Sequence, residues 1–308
     1  MELLTKTNFK FIEASRVSFI VSCVLILAGL VSLVMHGGPS LSIDFTGGTI
    51  LQVKITPAPQ ITEVRDALTA GGFEDFQVQD FGSADEFLIT FRETEGGAEG
   101  IDAAESMKKA LSANMTGFDV EMRREESVGP KIGGELKTAA INSVFAALVL
   151  IVLYITVRFV FRFGIAAIIA LIHDVVITLG LFSIMDKEIS LSIIAAFLTI
   201  IGYSLNDTIV VFDRIRENMR LRRKESYAGV VNRSINETLS RTLVTSVTTL
   251  MVAGTLFIWG GPVIHDFAFA LTVGVLVGTY SSLFVASPVL VWWHQRTVTD
   301  STRAKAAM

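Results

Sequence analysis

Residues 189–212 read ISLSIIAAFLTIIGYSLNDTIVVF. They carry a single charged residue, Asp207, before Asp213 and Arg214 close the run. About 20 apolar residues in a helix cross the ~30 Å hydrocarbon core of a bilayer, so this stretch is long enough to be a membrane span. Asp207 sits inside it among Ile, Val and Leu, flanked by Asn206 and Thr208. A span that keeps a carboxylate decides two questions together: what class of fold the chain has, and where its chemistry lies.

The rest of the chain fits the same reading. It has 308 residues, 51% hydrophobic and 18% charged, against about 25% charged in an ordinary soluble domain; its mean hydropathy is +0.56. Similar apolar runs predict transmembrane helices at 17–36, 137–157, 164–185, 189–212, 241–260 and 266–294. The chain is therefore expected to be a polytopic α-helical membrane protein. The first apolar run exceeds the 7–15 residues of a secretory h-region and no small-residue cleavage site follows it, which favours an uncleaved anchor. Its one cysteine, Cys23, allows no disulfide framework and no zinc spacing.

Charge sets an expected orientation. Residues 37–135 hold 18 acidic and 8 basic side chains, whereas the remainder holds 12 acidic and 18 basic. The basic residues gather in four places, at 1–16, at 158–162, at 213–241 and at 295–308, and six spans bring all four to one side. The positive-inside rule makes that side cytoplasmic. Both termini are then inside, and the acidic segment 37–136 faces the periplasm.

That segment has a fold signature of its own. TILQVKI alternates, with Leu51, Val53 and Ile55 on one face, and reads as a strand. ITEVRDALTAGG follows at helical spacing and stops at a Gly pair. Strands at 76–81 and 87–91, separated by the polar turn GSAD, precede a helix at 101–111 and a last strand marked by Phe118, Val120 and Met122. The order βαββαβ is the ferredoxin-like arrangement, an α+β domain inserted after the first span. GGAEG at 96–100 reads as a loop. The loop at 213–240 holds Val230, Val231, Ile235 and Leu239 on one helical side, a segment suited to lying along the membrane surface. Its basic residues either meet anionic membrane lipids or only fix topology. No aromatic interleaving or binding module accompanies them, so no nucleic-acid partner is expected.

Hydrolytic chemistry is not expected either. VGPKIGGELKTA at 128–139 echoes a phosphate loop, but Glu135 follows Gly134 where that loop requires Lys. No H-E-x-x-H or G-x-S-x-G is present, and neither a cofactor nor a metal is called for. The charges inside the spans are more informative. Asp207 lies about 9 Å deeper than Asp213 along a helix, and a charged Asp at the middle of a span costs roughly 2.5–3.5 kcal/mol. It is either close enough to the surface to draw in water or part of a proton path. Asn206, Ser204 and Tyr203 give it polar company. A second carboxylate, Asp174, stands beside His173 in the third span, either as a packing residue or as part of the same path. Arg241 opens the fifth span, with Thr245, Thr248 and Thr249 following it at helical spacing. When protonated, Asp207 is neutral and tolerates a dry site; ionised, it requires Arg241 or water. Moving a proton through a membrane potential supplies about 2.3 kcal/mol per 100 mV.

Five stretches together carry a resemblance: SIDFTGG at 42–48, VGPKIGGEL at 128–136, IHD at 172–174, GYSLNDTIVVFDRIREN at 202–218 and LSRTLVTSVTT at 239–249. In order and spacing they are similar to the SecD/SecF family of the bacterial Sec machinery, on its SecF side. The resemblance implies six transmembrane helices of the resistance-nodulation-division type, a periplasmic domain and a bacterial inner-membrane location. It implies SecD as partner, association with the SecYEG channel and with YajC and YidC, and use of the proton-motive force to complete translocation of unfolded polypeptide. It assigns Asp207 and Arg241 to the proton path. Ser42 stands where relatives often have Gly, and the chain lacks the second six-span half of a SecD–SecF fusion. Asp44, Gly47 and Gly48 form the motif loop before the first strand. Asp44 reads as a loop or capping residue, and the glycines as a structural turn or a hinge. Other readings remain open: a small-molecule or lipid exporter subunit, a passive scaffold, or an intramembrane aspartyl protease, whose GLGD motif is absent.

Overall fold

The computed structural model describes residues 7–74, 76–91 and 100–306, apart from the side chains at 100–103 and 297–306. The loop expected at 96–100 lies outside the described residues except for Gly100, which opens a helix. The chain divides into a helical unit, 1–39, 144–187 and 192–308, and a sheet unit, 40–143 and 188–191.

The sheet unit starts with a one-turn helix α2 (Ile43–Thr46), which follows the first long helix α1 (Phe11–Met35). After it come β1 (Gly48–Thr56), α3 (Ile61–Ala70), β2 (Phe76–Phe81), β3 (Ser83–Phe91), α4 (Gly100–Asn114) and β4 (Asp119–Val128). The expected βαββαβ order is observed, and the strands form one antiparallel sheet ordered β2-β3-β1-β4. The alternation of β1 puts Leu51, Val53 and Ile55 beneath Val64 and Leu68 of α3 and Met107 and Leu111 of α4, all of them buried. Burying each such side chain is worth roughly 1.5–3 kcal/mol. β3 begins earlier than its apolar residues indicate. Gly82, at φ +79°, makes the reversal almost alone, so Ser83–Asp85 join the strand instead of forming a turn. Ser83 and Ala84 are exposed and Asp85 is half-buried, so these three residues carry no apolar alternation.

The helical unit holds α1 with α5 (Pro130–Arg158, from Val144 onward), α6 (Phe161–Ile184), α7 (Leu191–Leu221), α8 (Tyr227–Trp259), α9 (Pro262–Ser281), a π-helical turn (Ser282–Ala286) and α10 (Ser287–Ala306). Six stretches are long and apolar enough to cross a membrane, the sixth running through the π turn from Pro262 to Arg296. The protein is therefore a multi-pass membrane protein. Its core joins Phe159, Phe163 and Phe212, whose rings lie 5.1–6.2 Å apart, with Ile215, Val231, Ile235 and Leu290.

Two expectations change here. α7 runs nine residues beyond Phe212 to Leu221, and α8 starts at Tyr227 behind a Ser226 cap whose side chain accepts the Gly229 N–H. The segment read as lying along the membrane surface is thus the first half of α8. Its apolar face, Val230, Val231, Ile235 and Leu239, is buried in the bundle core. A membrane surface and a neighbouring helix demand the same amphipathic pattern, and neighbouring helices occupy it here.

Candidate functional site

Three glycines, Gly29, Gly180 and Gly278, bring the helices of the site close together. A Cβ at Gly180 of α6 would stand 2.7 Å from the Gly29 Cα of α1, and a Cβ at Gly278 of α9 would stand 3.1 Å from the Ser204 Cβ of α7. These backbones approach closely because no side chain intervenes. The polar side chains on the same faces meet as a result.

Asp174 of α6 lies where these helices converge and is almost completely buried. Its Oδ2 accepts the hydroxyls of Ser204 at 2.5 Å and Ser281 at 2.8 Å, and its Oδ1 lies 2.9 Å from His173 Nδ1. His173 Nε2 reaches Ser22 Oγ of α1 at 2.9 Å. Ser22 meets the Tyr280 hydroxyl at 3.0 Å, and Tyr280 donates to the Ser18 carbonyl at 2.7 Å. An unbroken hydrogen-bonded chain thus links α1, α6, α7 and α9. Ser281, its α9 member, stands immediately before the π turn, an element often found at functional sites.

Asp207 is one turn beyond Ser204 on α7. It is 2% exposed, and its Oδ2 has no hydrogen-bond partner. Among the described residues, only Thr242 Oγ1 of α8 shares that state. Ser246, one turn along α8 from Thr242, lies beside the Asp207 carboxylate. Its hydroxyl is 2.7 Å from Thr279 Oγ1 and receives the Tyr203 hydroxyl at 3.2 Å. Buried polar groups without partners are rare and costly.

The expected residues are therefore only partly brought together. Asp207 of α7 and Asp174 of α6 are both buried, and Ser204, one turn before Asp207 on α7, donates to Asp174. Arg241 is exposed at the level where α8 passes Asp207; its charge acts on that carboxylate, but no ion pair within 4 Å joins Arg241 to any described residue. Asn206 points away from the bundle and is exposed, in line with Gly202 one turn earlier. Thr245, Thr248 and Thr249 bond carbonyls of their own helix; Thr242 and Ser246 occupy the inward face instead. Their spacing of four residues is the signal for that face, but sequence alone does not say which hydroxyl row turns inward. In the sheet unit, Gly47 and Gly48 have φ of +76° and +139°, and Asp44 Oδ2 accepts the Leu191 N–H at 2.8 Å.

A bundle of six membrane helices with an inserted ferredoxin-like domain and carboxylates buried between helices is the architecture of a membrane transport protein, and the comparisons agree. Residues 107–296 match the family described as protein export membrane protein SecD/SecF, C-terminal, and residues 33–59 match the SecD/SecF GG motif. The chain belongs to the SecD/SecF family. Its relatives include the protein translocase subunit SecF of Desulfurispirillum indicum, 46% identical over 93% of this chain and 92% of that protein. They also include that of Vibrio alginolyticus, 46% identical over 92% of this chain and 90% of that one. Among solved structures, SecDF of Thermus thermophilus, a translocon-associated membrane protein, superposes with a TM-score of 0.84 at 38% identity, covering 94% of this chain and 39% of that longer one. SecDF in its super-membrane-facing form gives 0.70, covering 97% and 41%.

Proposed function

We propose that this chain is a SecF-type subunit that works with SecD to turn the proton-motive force into completed polypeptide translocation, with Asp207 as the group that takes up and releases the proton. The observation that carries this is the buried Asp207 carboxylate, one of whose oxygens has no hydrogen-bond partner. When protonated it is neutral and suits the apolar interior. When ionised it draws on Arg241 and on water admitted toward Thr242 and Ser246, which favours a different packing of α7 and α8. A few kcal/mol is enough to switch between two such packings, and a membrane potential supplies that scale of energy. Asp174 is then the neighbouring station, its carboxylate held by three side chains, His173, Ser204 and Ser281.

The exposed line of Gly202 and Asn206 on the Asp207 helix supports the partnership with SecD. Small and polar residues at helical spacing allow close approach by another membrane helix. The subunit has no hydrolytic site in this reading. The sheet domain stands in the periplasm and acts on the emerging chain by holding it, next to a SecYEG channel with YajC and YidC. The test is secretion into inverted membrane vesicles carrying the partner and Asp207→Asn, after assembly is verified. ATP starts translocation, and a proton gradient is then imposed or collapsed. Asp207→Asn is expected to abolish the response to the gradient while initiation survives. A mutant that responds like the parent would contradict the proposal and leave a passive scaffold as the better description.

A further inference from the structure

The motif loop SIDFTGG, 42–48, makes a set of contacts that the buried carboxylates do not account for. Leu41 and Ile189 form a short parallel bridge: Ile189 N–H donates to the Ser40 carbonyl at 2.7 Å, and Ser42 N–H to the Ile189 carbonyl at 3.0 Å. Two residues later Asp44 Oδ2 accepts the Leu191 N–H at 2.8 Å. Leu191 is the first residue of α7, so its N–H is one of the orphan donors that every helix presents at its start. A carboxylate is the acceptor best suited to that position. Here it comes from 147 positions earlier in the chain.

The same loop is anchored from two more directions. Gly47 lies so close to the start of α5 that a Cβ on it would be 2.8 Å from the Pro130 Cα, and a Cβ on Gly133 would be 3.0 Å from the Gly47 N. Gly48, the next residue, opens β1 and pairs with Val128, the last residue of β4. Seven residues therefore hold the first N–H of α7, the first turn of α5 and the root of the sheet. The two glycines are needed for the positive φ and for the approach to Pro130; the aspartate is needed for the cap.

We infer that this motif is a mechanical joint in which Asp44 is a positioning residue, tying the first turn of α7 to the root of the sheet so that displacement of α7 is passed to the sheet domain. Leu191 belongs to the sheet unit, and α7 runs on from Ser192 through Asp207 without a break. The distance from Leu191 to Asp207 is about 24 Å of continuous helix. An axial shift at one end of such a rod appears at the other. The joint requires an acceptor at Asp44, not a titrating group, which separates it from a proton site. It rests on the proposed proton-driven function.

The experiment compares Asp44→Ala, Asp44→Asn and Leu191→Pro in the assembled complex in inverted vesicles. Alanine removes the acceptor, asparagine keeps one, and proline removes the donor at a helix position where proline is tolerated. Asp44→Ala and Leu191→Pro are expected to lower gradient-stimulated completion by about fivefold, the scale of a lost cap, with ATP-driven initiation intact. Asp44→Asn stays within about twofold of the parent. Equal loss in Asp44→Asn and Asp44→Ala would overturn the joint in favour of a charge requirement, and no loss in Asp44→Ala would overturn it outright. Asp207→Asn runs alongside: if it keeps the full response to the gradient, the proton-driven reading fails and hydrogen exchange at 188–191 decides the joint. Faster exchange in Asp44→Ala with parental exchange in Asp44→Asn supports it, and parental exchange in both overturns it.

Discussion

Replacing Gly180 by Ala tests the contact on which the buried hydrogen-bonded chain depends. Alanine in a helix interior is favoured over glycine by about 1 kcal/mol, so propensity alone predicts a stabler protein. The added Cβ, however, would stand 2.7 Å from the Gly29 Cα, well inside the ~3.5–4.0 Å of a normal carbon contact. Relief by backbone displacement costs about 1–3 kcal/mol. Parting α1 from α6 also lengthens the His173–Ser22 contact at 2.9 Å and the Ser32–Ser183 contact at 2.8 Å, each worth about 1 kcal/mol. The net expectation is a loss of about 1–3 kcal/mol, or a fall of several degrees in apparent Tm at roughly 2–4 °C per kcal/mol. Gly254→Ala on α8 is the control, because its Cβ would meet nothing within 4 Å; it is expected to hold or raise the melting point. Both are read by thermal unfolding of the detergent-solubilised protein at a fixed scan rate, since membrane proteins commonly unfold irreversibly. A Gly180→Ala protein that melts at or above the parental temperature would refute the α1–α6 approach.

Three further substitutions examine the two units separately. Ser204→Ala and Ser281→Ala each remove one donor from Asp174 Oδ2, and each is expected to cost about 1–3 kcal/mol in the same melting assay. Because they share one acceptor, the double variant should depart from additivity by more than about 0.5 kcal/mol; strict additivity would mean that the two hydroxyls do not meet at Asp174. Leu51→Ala at the fully buried centre of β1 is expected to cost about 2–5 kcal/mol. Limited proteolysis should show faster cleavage within the sheet unit alone.

Much of the architecture was written in local pattern. Uncharged runs of about 20 residues mark spans whatever they pack against, and the alternation of Leu51, Val53 and Ile55 marks a buried strand face. Asp207 and Asp174 stood out because a carboxylate in an apolar run contradicts its surroundings. What the sequence left open depended on neighbours. Thr245, Thr248 and Thr249 were the expected row beside Arg241, yet Thr242 and Ser246 turn inward. A helix advances about 100° per residue, and either row suits an interior until the adjoining helix is known. Val230 to Leu239 matched a membrane surface as well as a bundle core. Ser22 and Tyr280 have no local signal, because their polarity is explained only by His173 on another helix. The cap that Asp44 places on Leu191 spans 147 residues, and no window of sequence contains both ends of it.

The central claim, that Asp207 carries a proton, is tested most directly by pH-dependent infrared difference spectroscopy of the purified complex in lipid. Protonated carboxyl groups have a carbonyl stretch distinct from that of carboxylates. The account predicts a protonated-carboxyl band that disappears as pH rises and is absent from Asp207→Asn. An unchanged band in Asp207→Asn, or no titrating carboxyl in the parent, would contradict it.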